Sequence, residues 1–142
     1  MSLLDLTEIA DEIEDAEEPT IAENNSEQQL RIISVNGGST NNKGTGQEAE
    51  WFSPVFEVLD APLMKEFNSF FWVPNKENLS PKQYARALFD IKIFAQAFGI
   101  DLTRPLDYED DLPGCTGWAI LGVKKSEEYG EQNTVRKFIT PK

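Results

Sequence analysis

The side chains of this sequence that can do chemistry are cations and aromatic rings. Lys124 and Lys125 close one β-branched run, and Arg136 and Lys137 sit in the next, so strand alternation puts at least one of each pair on a common face. Arg31 in an earlier run and Lys43 in a Gly-rich stretch extend the cationic set. Trp51 and Trp72 stand in strand-like runs, and Tyr129 lies in the polar segment between the two basic pairs. Cations at such spacing neutralise phosphates, and rings that nothing obliges to be buried offer stacking platforms for flat bases. The competing reading is that these are ordinary solubilising charges and core rings. Most of Phe52, Phe56, Phe67, Phe70, Phe89, Phe94 and Phe98 are expected in the core, together with Trp118, which follows Gly117 at a strand start.

The composition excludes much else. The chain has no histidine and one cysteine, Cys115, so a Ser-His-Asp or Cys-His triad, a His-ligated zinc and an internal disulfide are all absent. Gly44-Thr45-Gly46-Gln47-Glu48-Ala49 matches a dinucleotide fingerprint with Ala in its last place, but it precedes a strand instead of following one and opening a helix. Asp107, Glu109, Asp110 and Asp111 lack the spacing of an EF-hand and sit in a Pro/Gly loop, which reads as a solvated acidic turn. No catalysis, metal or cofactor is expected.

Charge is divided unevenly along the chain. The formal charge is -12, yet residues 1–28 hold ten acids and no base, leaving 15 acids against 13 bases beyond. A near-neutral body can carry a local basic face. Leu3, Leu6, Ile9, Ile13 and Ala16 recur at helical spacing among the acids, so residues 1–26 read as an acidic arm with a short helix, and residues 27–142 as one domain. No apolar run reaches the roughly 20 residues that span a bilayer, and acids stand where a signal peptide carries Lys or Arg. A soluble, intracellular protein is the expectation.

The elements that must position the cations and rings follow in order. Gln29–Val35 and Trp51–Asp60 read as strands joined by a long mobile loop through Asn36-Gly37-Gly38, with Pro54 marking a bulge or an edge. Glu66–Val73 reads as a third strand. Ser80-Pro81-Lys82-Gln83 spells a capping box, and Tyr84, Ala87, Leu88, Ile91, Ala95 and Phe98 give a helical stripe ending at Gly99. Trp118–Lys125 and Thr134–Thr140 form a last hairpin. This order makes the chain mainly β and predicts an OB-fold-like five-stranded Greek-key barrel with one α-helix between strands 3 and 4.

Leu30-Arg31-Ile32, Phe56-Glu57-Val58-Leu59, Ala97-Phe98-Gly99-Ile100, Leu112-Pro113-Gly114, Val123-Lys124-Lys125, Tyr129-Gly130 and Asn133-Thr134-Val135, taken in this order, carry a family likeness. Over roughly residues 28–140 the chain resembles small bacteriophage replication proteins, an OB-fold single-stranded DNA-binding family often catalogued only as a domain of unknown function. The resemblance implies a non-enzymatic protein of the infected bacterial cytoplasm. It would coat and protect single-stranded DNA, with little sequence preference, during phage replication or recombination. The acidic arm would then dock phage or host replication and recombination proteins, or compete with DNA. The alternative is a non-enzymatic protein-interaction module in a virion or other phage assembly.

Overall fold

The computed structural model describes residues 3–128 and 130–141. The chain is mainly β, with six strands in one antiparallel sheet among the described residues. β1 (Ser26–Asn42) and β2 (Gln47–Val58) form a long hairpin. β3 (Phe67–Asn68) and β4 (Phe71–Trp72) both pair with β2. β5 (Thr116–Ser126) and β6 (Gly130–Ile139) make a second hairpin, joined to the first by β1 against β5. The order is β3-β2-β1-β5-β6, with β4 beside β2. The sheet is open: β3 lies against β6, but no ladder joins them.

Two departures from the sequence reading have local causes. The third run forms two separate strands in a single register with β2, because the break faces Pro54. Proline donates no ladder hydrogen bond, so pairing lapses there. Side chains take over: Ser53 Oγ donates to the Ser69 carbonyl at 2.6 Å, and Asn68 Nδ2 donates to Ser53 Oγ at 2.8 Å. The stretch expected as a mobile loop is instead ladder from Asn36 opposite Ser53 to Asn42 opposite Gln47, leaving a turn of only Lys43–Gly46. Buried Asn42 fixes that tip. Its amide donates to Gln83 Oε1 at 2.7 Å and the Asn78 carbonyl at 3.0 Å, and Gln83 Nε2 donates back at 2.9 Å.

Gln83 also opens α2 (Pro81–Phe98). Its main-chain N–H donates to Ser80 Oγ at 3.1 Å, and its side chain accepts from the Ser80 N–H at 2.9 Å, closing the capping box. Gly99, at φ 65°, ends the helix in the left-handed conformation that favours glycine. Phe94 and Phe98 point from α2 into the core, where they meet Leu30, Ile32, Phe56, Ala119 and Leu121. Phe56 lies within 5.6–6.4 Å of the Phe67, Phe94, Phe98 and Phe138 rings, so the core is largely an aromatic stack.

The arm holds a 3₁₀ turn (Thr7–Ile9) and α1 (Ala10–Glu14), and every described residue up to Thr20 is exposed. Packing starts earlier than residue 27: Thr20 bridges to Met64, and Ala22 is in the core. Buried Asn133 clamps Ala22, accepting its N–H at 2.8 Å and donating to its carbonyl and that of Gly122, each at 3.0 Å. Asn133→Leu removes partners from two buried main-chain groups of Ala22 and is expected to cost about 2–4 kcal/mol, at roughly 1–3 kcal/mol per unpaired group. Urea denaturation measures this, and a loss below 1 kcal/mol would show that the clamp is dispensable. Among the described residues no helix is long and apolar enough to cross a membrane.

Candidate nucleic-acid interface

The open seam of the sheet forms a groove. One wall is Asn68–Phe71, the other is β6 from Thr134 to Phe138, and α2 contributes Arg86, Phe89, Asp90 and Ile93. Its volume is about 470 Å³. It continues along the first turns of α2, past Trp72, Lys82 and Gln83. Lys82, Arg86, Arg136 and Lys137 line this path against one acid, Asp90. Arg86 Nε donates to Asp90 Oδ1 at 3.0 Å, whereas Lys82, Arg136 and Lys137 form no ion pair among the described residues. In a chain of net charge -12, this is a concentration of uncompensated cations.

A bulge brings Arg136 and Lys137 to the same side of β6. Leu121 pairs with Val135 and Ile120 with Lys137, leaving Arg136 as the extra residue. The Arg136 stem lies over Gly122, where a Cβ would meet its Nε at 2.5 Å, so any larger residue would displace it. Arg136 Nη2 donates to Asn24 Oδ1 at 3.1 Å, which holds the guanidinium beside the root of the arm.

Three rings stand together on the neighbouring face. Trp51 and Trp72 are cross-strand partners, and Phe70 sits between them, 5.7 Å from Trp51 at 28° and 4.9 Å from Trp72 at 89°. Phe70 is 50% exposed, and Phe89, on the helix side, is 56% exposed. Both belong to the set of phenylalanines of which most were expected in the core. The Pro54 break lets Phe70 leave the ladder, and Phe89 falls outside the stripe that Phe94 and Phe98 bury. Trp118 departs from expectation too: it is 46% exposed on the outer face of β5, opposite Gln29 and Ile139.

The other sequence candidates fall into separate places. Lys43 is exposed at the hairpin tip, beside Gly44, which abuts Gln83 at the helix end of the groove. Arg31 Nε donates to Glu57 Oε1 at 2.6 Å, and its Nη2 reaches the same oxygen, so its charge is compensated. Lys124 and Lys125 are exposed opposite Gln132 and Glu131. Four residues of β5 separate Lys124 from the position facing Lys137, about 13 Å along the strand. Tyr129 lies outside the described residues. Thus Trp72, Arg136 and Lys137 line the groove, Trp51 and Lys43 border it, and Arg31, Lys124 and Lys125 do not reach it. Lys82, Arg86, Phe70 and Phe89 were missed; their exposure on a helix whose opposite stripe is apolar was the available signal for three of them.

The remaining candidates for chemistry are quiet. Asp107 Oδ1 accepts the Glu109 N–H at 3.0 Å and Asp111 Oδ2 accepts the Asp107 N–H at 2.9 Å, so the acidic loop folds on itself. No group of three or more acidic or cysteine side chains among the described residues is placed to hold a metal. Burial, reinforced by the negative charge of Asp111, pushes the Cys115 thiol up, and its Sγ donates to the Asp111 carbonyl. The neutral thiol is a poor nucleophile.

Fold and site together define a mainly β chain whose single open sheet and one long helix frame a cationic, aromatic groove. No protein-family model and no curated protein sequence matches the chain.

Proposed function

We propose that this chain binds single-stranded DNA along the seam groove, without catalysis and with little sequence preference, coating strands during phage replication or recombination. The carrying observation is the coincidence of Lys82, Arg136 and Lys137 with exposed Phe70 and Phe89 in one groove of a strongly acidic protein. Cations would track the phosphates while the rings receive bases, and neither contact reads sequence. The strand order, with β3 against β6 at an unbonded seam, supports reading the sheet as an OB-type barrel whose last edge is not laddered.

Titrating labelled oligo-dT, a matching duplex and oligo-rU at low and near-physiological salt, by anisotropy and tryptophan fluorescence, tests the proposal. The expected result is preference for oligo-dT over duplex. Three to four phosphate contacts predict a log affinity falling with log salt at a slope of about -2 to -3. Arg136→Glu with Lys137→Glu is expected to lower affinity at least tenfold and flatten that slope. Equal binding of single strand and duplex, or none, would refute the reading. A second reading is favoured by Trp118 with Ile120 and Ile139 on the outer face, where Lys137 and Glu27 also stand: a protein-interaction module in a phage assembly. Apolar contact there would bind with little salt dependence.

A further inference from the structure

We infer that the outer face of the sheet around Trp118 is a second binding strip for the same DNA strand, reached from the seam groove across β6. This rests on the groove binding DNA, and it gives the strand a separate stacking ring outside the groove. The register decides which side chains share this face. Along β5, Trp118, Ile120, Gly122 and Lys124 alternate outward, while Ala119 and Leu121 turn into the core. Ile120 has Glu27 of β1 on one side and Lys137 of β6 on the other, and Trp118 has Gln29 and Ile139. Arg136, the bulge residue, lies over Gly122 and so joins the same side.

The ring comes first. Trp118 is 46% exposed, whereas Trp51 and Trp72 are half-buried. β5 is an inner strand, flanked by β1 and β6, so the backbone that carries this indole is held on both edges. It offers a base a flat, positioned surface. Charge comes next. Lys124, Arg136 and Lys137 form no ion pair among the described residues, Arg31 is compensated by Glu57, and Glu27 is the acid beside Ile120. Charged residues are depleted at the centre of a protein interface, so a tryptophan bordered by free cations suits a polyanion with flat rings better than an apolar partner. Lys124, which the groove leaves out, stands on this strip two residues from Gly122.

Continuity joins the two sites. Lys137 lines the seam groove and also a shallow outer groove with Glu27, Ile120 and Ile139. β6 is the edge strand, so a single strand spacing of about 5 Å separates them. Trp118 lies two residues, about 7 Å, along β5 from the position facing Lys137, and Glu27 lies off that path, on β1. A strand that leaves the groove at Lys137 therefore meets Trp118 next. Occupying both places takes a length toward the upper end of the roughly 4–16 nucleotides that one such domain covers.

Oligo-dT of about 6 and about 16 nucleotides, bracketing that range, is titrated into three full-length chains: unmodified, Trp118→Ala, and Trp51→Phe with Trp72→Phe, in which Trp118 is the one tryptophan left. Trp118→Ala is expected to bind the long oligonucleotide about tenfold more weakly and the short one within twofold of the unmodified chain. Trp118 emission in the third chain is expected to fall with the long oligonucleotide and to hold with the short one. Binding of the long oligonucleotide with equal affinity by Trp118→Ala, or with Trp118 emission unchanged at saturation, would overturn the inference, keep the groove reading and leave the outer face to a protein partner. Failure of either oligonucleotide to bind the unmodified chain would sink the DNA reading and the strip with it.

Discussion

Phe70→Ala together with Phe89→Ala will weaken oligo-dT binding by about 100-fold, at roughly 1–3 kcal/mol for each base that loses its stacking partner and 1.4 kcal/mol per tenfold. The two rings belong to different walls of the groove and both face solvent. Their truncation removes ligand contacts with little change in what the core buries. Phe70 does touch Trp51 and Trp72, so its loss costs two ring contacts, about 1–3 kcal/mol of folding stability. Equilibrium titration against thermal denaturation separates the two effects. An affinity within threefold of the unmodified chain would place the bases elsewhere, with the outer face around Trp118 the next surface to probe.

The same arrangement makes tryptophan emission a direct report on the groove. A base stacked on Phe70 lies within reach of both Trp51 and Trp72, whereas phosphate contact at Arg136 and Lys137 leaves those indoles untouched. Quenching should therefore survive charge reversal at Arg136 and Lys137 in proportion to the DNA still bound, and vanish with Phe70 and Phe89 even where residual electrostatic binding persists.

Local signals in the sequence carried through wherever a short-range rule governs the outcome. The Ser80–Gln83 capping box and the Gly99 stop bound α2 because both act within one turn. The strand runs were legible from β-branched and aromatic residues, and the mainly β character followed. What the sequence hid depends on partners far along the chain. Asn36–Asn42 reads as a polar loop until Gln83, 41 residues away from Asn42, supplies its amide partner. Glu66–Val73 reads as one strand until it is set opposite Pro54. The same logic divided the site. Arg136 and Lys137 were visible as a basic pair, but their side depended on a bulge over Gly122 that no spacing rule announces. Lys124 and Lys125 were paired with them by hairpin proximity; the register sets Lys124 four residues from the position facing Lys137, but only two from Gly122, over which Arg136 lies on the same face. Phe70 and Phe89 were assigned to the core by composition alone, which is the right default for phenylalanine and fails where a ladder breaks.

Phe56→Ala will destabilise the chain by about 3–5 kcal/mol, the cost of an aromatic-sized cavity in a core that relaxes only partly. Phe56 has no exposed surface and contacts rings from β3, α2 and β6, at Phe67, Phe94, Phe98 and Phe138. These elements are the ones that frame the seam, and across the seam no backbone ladder holds β3 to β6. Packing of the rings, in place of a backbone ladder, therefore sets the width of the groove, and total stabilities of about 5–15 kcal/mol leave little reserve once that packing is lost. Phe56→Leu retains most of the volume and should cost about 1–2 kcal/mol while disturbing the seam less. Urea denaturation of both variants gives the stabilities, and oligo-dT titration under conditions where each remains folded gives the coupling. A Phe56→Ala loss below 1.5 kcal/mol would mean that the seam is held by something other than the stack. A full loss with unchanged DNA affinity in the folded fraction would mean that groove width does not govern binding.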